Sequence, residues 1–280
     1  MKHLLRSNGR RWTALLLLFV LIGGIVASFC ASGTENVWPK SGDKTTSSGK
    51  FVVDYTNAAD GYIMVKAPTS KKKLKIRIKQ GDEVVNYDIN GEGQYEVYPL
   101  RMGSGSYSII LNENTSGKQY AQKAKLSIKV QLNREDAAYL CPSQYVWYTE
   151  DSPAVAMSHK LCDDLETDAE KLAAVRNYMK ANFLYDYIRS VTQKTTYLGD
   201  VDGVFESGKG LCLDFACILA CMLRIQGIPC QVVVGEVTSA STVISHAWNL
   251  VLIDGEYIRV DITAEISGSN NVKYTQERSY

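Results

Sequence analysis

Between residues 51 and 133 apolar side chains recur at every second position, in short runs broken by Gly, Asn and Asp. In Lys73-Leu74-Lys75-Ile76-Arg77-Ile78-Lys79 leucine and isoleucine alternate strictly with cations. Successive side chains of a strand point to opposite faces, so this run buries one face and wets the other; wound as a helix it would scatter its apolar residues around the axis. Similar runs lie at 51–56, 62–67, 83–89, 94–100, 106–112 and 123–132. Seven short strands with turn residues between them predict an antiparallel sandwich of immunoglobulin-like kind over 51–134. Seventeen tyrosines against six phenylalanines fit sheets with one wet face. No site chemistry is legible here, and binding or spacing is the expected role.

Downstream the period changes. Thr167-Asp168-Ala169-Glu170 fits a capping box with Thr167 as N-cap. Leu172, Val175 and Met179 then recur at helical spacing, and the helix is expected to end near Asn182. A long polar loop is expected up to Gly210; within it Gly199-Asp200-Val201-Asp202-Gly203 reads as a plain turn. A second helix starts at Cys212, with Phe215, Leu219, Met222 and Leu223 on its apolar face, and stops at Gly227-Ile228-Pro229. Strands follow at 231–237, 245–253 and 256–263, the last two joined by the two-residue hairpin signal Asp254-Gly255. The whole reads as an α+β chain.

The first 32 residues form a different class of segment. Lys2, Arg6, Arg10 and Arg11 precede an apolar run from Trp12 to Ala31, and no acid occurs before Glu35. This is the pattern of an export signal or an uncleaved membrane anchor. The Ser-, Thr-, Gly- and Lys-rich stretch 33–50 reads as a flexible spacer. The chain has 31 basic and 30 acidic residues; without the four N-terminal cations it has 27 against 30, a net charge of −3. A surface of that balance argues against nucleic-acid binding. Membrane contact is expected only through the N-terminal segment, with the body at the cell surface or secreted.

Seven cysteines do not form a disulfide-scaffold spacing, and Cys217 and Cys221 fit small buried hydrophobes. The spacing of Cys212, Cys217 and Cys221 does not suit zinc ligation, so no metal or other cofactor is expected. Cys212 differs from the rest because Gly208-Lys209-Gly210 delivers it to a helix N-terminus. Unpaired N–H groups and the helix dipole favour an anion there, which suits a thiolate nucleophile and the oxyanion it generates. Such a nucleophile needs a base. His246 opens a strand, and a two-residue Asp254-Gly255 loop pairs Ile253 with Glu256. Continued along both strands, that register sets Asp261 opposite Trp248 and makes His246 and Asp261 diagonal neighbours on one face. A carboxylate there orients the imidazole.

Gly210-Leu211-Cys212-Leu213-Asp214-Phe215-Ala216, then Leu223-Arg224-Ile225-Gln226-Gly227-Ile228-Pro229, His246-Ala247-Trp248-Asn249, and Val260-Asp261-Ile262-Thr263 resemble the transglutaminase-like superfamily. The resemblance covers about 152–263. It implies a papain-like core over 135–280, with Cys212 as nucleophile, His246 as base and Asp261 as orienting acid. Phe183-Leu184-Tyr185-Asp186-Tyr187 resembles the segment before that family's active-site loop. Leu213 stands where animal cross-linking enzymes carry Trp, and their additional β-barrel domains have no counterpart after Thr263. The expected function is thiol acyl transfer on amide bonds of protein or cell-envelope peptides, with hydrolysis as a protease or amidase preferred to amine cross-linking. The competing reading is an inert binding or scaffolding module on the same fold.

Overall fold

The computed structural model describes residues 38–193, 197–239, 242–268 and 273–280. The basic-apolar segment 1–32 and the first part of the spacer lie outside them. Among the described residues no helix is long and apolar enough to cross a membrane.

Eight strands build the N-terminal part: β1 (Thr45–Ser48), β2 (Phe51–Asp54), β3 (Tyr62–Lys66), β4 (Leu74–Gln80), β5 (Glu83–Ile89), β6 (Tyr95–Pro99), β7 (Gly105–Ser116) and β8 (Gln119–Val130). They form two four-stranded antiparallel sheets, β1-β2-β3-β6 and β5-β4-β7-β8. The alternation does what its period requires. Leu74, Ile76 and Ile78 are buried between the sheets, while Arg77 and Lys79 face water. Phe51, Val53, Val65, Tyr98, Tyr107 and Ile109 complete this apolar layer.

The spacer reading of 33–50 is corrected by β1. Its residues are polar and mostly exposed, so composition does not mark them, yet all four pair with β2. Asp54 anchors the approach by accepting hydrogen bonds from the N–H of Gly42 (2.7 Å) and of Thr56 (2.9 Å). Main-chain pairing at a sheet edge needs no apolar side chain. Trp38 is also ordered, edge-on to Tyr148 at 6.1 Å.

The second part contains α1 (Pro153–Cys162), α2 (Asp168–Asn182), β9 (Leu184–Tyr185), α3 (Tyr187–Thr192), α4 (Val201–Ser207), β10 (Lys209–Gly210), α5 (Cys212–Ile225), β11 (Cys230–Ser239), β12 (Thr242–Ile253), β13 (Glu256–Val260), α6 (Ile262–Ser267) and β14 (Lys273–Ser279). The α2 capping box is present: the Glu170 N–H donates to Thr167 Oγ1 (3.2 Å) and the Thr167 N–H to the Glu170 carboxylate (3.0 Å). The apolar α5 is the central element. Ten consecutive residues from Asp214 to Leu223 are buried, as Arg224 is, with α1, α2 and α4 around it and the sheet β13-β12-β11-β14 against it.

Two expectations for this part change, and one strand is added beyond the stretch they covered. The polar loop before Gly210 holds α3, α4 and the short parallel pair β9–β10. Its helices are short and Asp-capped: Asp186 accepts from the Arg189 N–H and Asp200 from the Gly203 N–H. The Asp254-Gly255 hairpin pairs Ile253 with Glu256, both loop residues at positive φ. Its second strand, however, stops at Val260 rather than 263, because Asp261 turns the chain into α6 as its N-cap. Finally β14, a polar exposed strand with no apolar alternation, pairs with β11.

All described residues belong to one compact unit. Tyr145 packs against both apolar cores, its ring 5.8 Å from Tyr87 of the sandwich and stacked 3.7 Å from Tyr280. The buried Arg224 guanidinium donates to the main-chain oxygens of Cys141 (2.8 Å), Cys230 (2.7 Å) and Tyr280 (3.1 Å).

Candidate active site

Cys212 is the first residue of α5, and of the six described cysteines, all free, it alone is not buried. Its loop is fixed from beneath by Asp214, whose side chain is fully buried. The Asp214 carboxylate accepts from the N–H of Leu211 (2.8 Å) and of Asp200 (3.1 Å) and pairs with Arg189 (2.9 Å). Burial pushes the Asp214 carboxyl pKa up, against the pull of those donors. From the side, the N–H groups of Leu184 and Asp186 donate to the carbonyls of Gly208 (2.8 Å) and Gly210 (2.9 Å). Gly210 has no room for a side chain: a Cβ there would lie 2.5 Å from Val204 and 3.1 Å from Asp214. These contacts explain why the glycine, the cysteine and the aspartate occur at these spacings.

His246 lies on β12 opposite Gly235 of β11. Its Nε2 is 2.7 Å from Asp261 Oδ2, and both side chains are buried. The Asp261 carboxylate is held at both oxygens: Oδ1 accepts from the Ala264 N–H (2.9 Å) and Oδ2 also accepts from the Tyr274 hydroxyl (2.8 Å). Asp261 thus reaches His246 from a helix N-cap, not as a strand neighbour on one sheet face. The Trp248 indole lies 6.3 Å from the imidazole and 5.0 Å from Tyr274, covering the pair on one side. Asn249 ties the strand to α5, donating to the Ala216 carbonyl at 2.9 Å.

Since Asp261 occupies Nε2, Nδ1 is the ring nitrogen left for Cys212. Burial lowers the imidazole pKa, but the hydrogen bonds it makes to Asp261 and Cys212, with their charges, outweigh it and lift it to about 9. Burial raises the Asp261 carboxyl, but the bond to His246 and the imidazolium charge bring it below the usual carboxylate range. The arrangement favours a protonated imidazole beside the Asp261 carboxylate.

Cys212 and His246 share a cleft of about 270 Å³, lined also by Tyr145, Tyr185, Tyr197 and Tyr280. The three side chains singled out by sequence are thereby brought to one place. Sequence reasoning missed two others. Tyr274 lies on the polar strand β14, and no pattern ties it to Asp261. Tyr197 falls in the stretch read as loop; its hydroxyl is buried beside the cleft without a hydrogen-bond partner among the described residues. The remaining described cysteines are buried thiols, and burial pushes Cys141 up to about 11 and Cys230 up to about 12.

Residues 155–262 match the sequence model of the transglutaminase-like superfamily. Solved structures that overlap the chain include a "Putative Cysteine Protease" from Cytophaga hutchinsonii, 13% identical over 78% of this chain and 83% of that one, with a TM-score of 0.40. They also include a "Putative Protease" from Parabacteroides distasonis, 13% identical over 75% of this chain and 62% of that one (TM-score 0.32). A TGase is 21% identical over 39% of this chain and 30% of that one (TM-score 0.31). All three overlaps fall below a TM-score of 0.5, and the assignment rests on the family match. No curated protein matches the chain. Cys212, His246 and Asp261 all lie within the stretch that is similar to the transglutaminase-like superfamily.

Proposed function

We propose that the chain is an exported thiol acyl-transfer enzyme that hydrolyses amide bonds of protein or cell-envelope peptides, with Cys212 as nucleophile, His246 as acid and base, and Asp261 as the orienting acid. The observation that carries this reading is the 2.7 Å Asp261–His246 bond in the cleft of the one described cysteine that is not buried. The Cys212 thiolate attacks the amide carbonyl carbon, forming a C–S bond and a tetrahedral oxyanion. N–H groups at the start of α5 face that charge, and the unpartnered Tyr197 hydroxyl supplies a further donor. Imidazolium Nδ1 protonates the leaving amine as the C–N bond breaks, giving a thioester. Water attacks the thioester with His246 now accepting its proton, which releases the acid and regenerates the thiolate–imidazolium pair. Water needs no acceptor site, which favours hydrolysis over amine transfer. The basic-apolar segment 1–32 supports placement outside the cytoplasm, and membrane contact is assigned to that segment alone.

The test pairs labelled casein with a fluorescent primary amine. Peptide release that disappears in Cys212→Ala is expected. Amine incorporation that depends on Cys212 and exceeds hydrolysis would overturn the hydrolase assignment.

A further inference from the structure

The cleft beside Cys212 continues onto the sandwich. Tyr145, Arg278 and Tyr280 line it, and they also line a second cavity that Val85 and Arg101 border. The stacked rings of Tyr145 and Tyr280 form the shared wall. Two guanidinium groups flank it. Arg101 lies over the Tyr280 ring at 5.1 Å, and the Tyr87 phenol faces it from the sandwich core. Arg278, on β14, is exposed and borders both cavities.

Neither arginine forms an ion pair among the described residues. Among the described residues, Arg101 Nε is buried with no hydrogen-bond acceptor. A guanidinium carries five donors and no acceptor, and a buried donor without a partner costs stability. Such a group is completed by a planar anion that accepts two parallel hydrogen bonds, which is the geometry of a carboxylate. No Asp or Glu lines the cleft at Cys212; Glu83 and Glu277, which border the second cavity, are both exposed.

We propose that Arg101 and Arg278 form a carboxylate subsite that holds an acidic peptide along the Tyr145–Tyr280 wall, so that the sandwich contributes to substrate selection. That the bound peptide is then presented to Cys212 rests on the acyl-transfer reading; the subsite itself does not.

The test is therefore made on the full chain bearing Cys212→Ala, which binds without turnover. Fluorescein-labelled nonapeptides of alanine and glycine carry one glutamate at successive positions, with glutamine at the same positions as controls. Free and amidated C-termini separate side-chain from terminal carboxylates. Glutamate at one or two positions is expected to bind roughly tenfold more tightly than glutamine. The advantage is expected to shrink as salt rises. Arg101→Gln and Arg278→Gln are each expected to remove most of it, with circular dichroism and melting that match the parent. Arg101→Lys keeps the charge but loses the fork, and is expected to keep part of the preference. A preference that follows the free C-terminus retains the subsite and assigns it a terminal carboxylate. Equal binding of glutamate and glutamine peptides, or a preference that survives both arginine substitutions in folded protein, overturns the proposal. Loss of hydrolysis elsewhere leaves this result readable, because no step of it passes through a thioester.

Discussion

The Asp261 carboxylate, behind His246, serves three partners. It holds the His246 ring, accepts from Tyr274 and caps α6 through Ala264. Asp261→Asn keeps the shape and removes the charge, and the imidazole pKa then falls from about 9 because its principal counter-ion is gone. The expected result is a loss of turnover of about 10²-fold or more, with the alkaline limb of the rate profile moved to lower pH. In the unsubstituted chain that limb is expected near pH 9, where the imidazolium loses its proton. Stability carries the same signature. The folded-state pKa of His246 lies above the unfolded value of about 6.5, so its contribution is complete below pH 6.5 and fades as pH rises through 9. Asp261 has the opposite sign: its contribution is present above about pH 3.9 and is lost as pH falls through its lower folded value. Urea midpoints from pH 6 to 10, compared between the unsubstituted chain and His246→Gln, measure the first effect. Tyr274→Phe removes one donor from Asp261 and is expected to cost about 1 kcal/mol with a smaller loss of turnover.

At the scale of elements, the start of α5 depends on Asp214 and Arg189 more than on its own helix propensity. Arg189 also secures α3, a six-residue helix with no buried residue. Arg189→Gln leaves the buried Asp214 carboxylate without its cation, at an expected cost of about 2–4 kcal/mol and with reduced alkylation of Cys212 as the loop loosens. Gly235→Ala tests the sheet: a Cβ there would lie 2.1 Å from the Thr275 carbonyl, so β14 is expected to part from β11 and to take Tyr274 away from Asp261. What was legible in the sequence follows from the same physics. The seven alternating runs each became a strand, because period two and turn residues agree locally. The α2 cap was legible because Thr167 and Glu170 satisfy each other's backbone within one turn. β1 and β14 were not legible, since edge strands held by main-chain bonds leave no apolar trace. The hairpin register, continued past Val260, sets Asp261 beside His246 on one sheet face, whereas their pairing arises from a helix cap. α3 and α4 were hidden because helices of six and seven residues carry too little periodicity to register.

Across the whole molecule, the Tyr145 ring joins the two larger apolar cores, and the Arg224 guanidinium gathers main-chain oxygens from Cys141, Cys230 and Tyr280. Removing a buried guanidinium bonded in this way strands three acceptors. Arg224→Met is expected to cost about 3–5 kcal/mol and to loosen the Tyr280 wall of the cleft. Differential scanning calorimetry of the chain from residue 38 onward is expected to show one transition that moves as a unit in this variant, because the described residues form one compact body. Two separated transitions would show that the sandwich and the part that carries Cys212 fold independently.

The central claim is that His246 holds Cys212 as a reactive thiolate. The rate of iodoacetamide modification of Cys212 across pH, read by mass spectrometry on the unsubstituted chain and on His246→Ala, tests it most directly. Rapid modification at pH 6–7 is expected, slowing by roughly tenfold or more in His246→Ala. A rate that rises only toward pH 8.5, where an ordinary thiol ionises, and is unchanged by the substitution would contradict it.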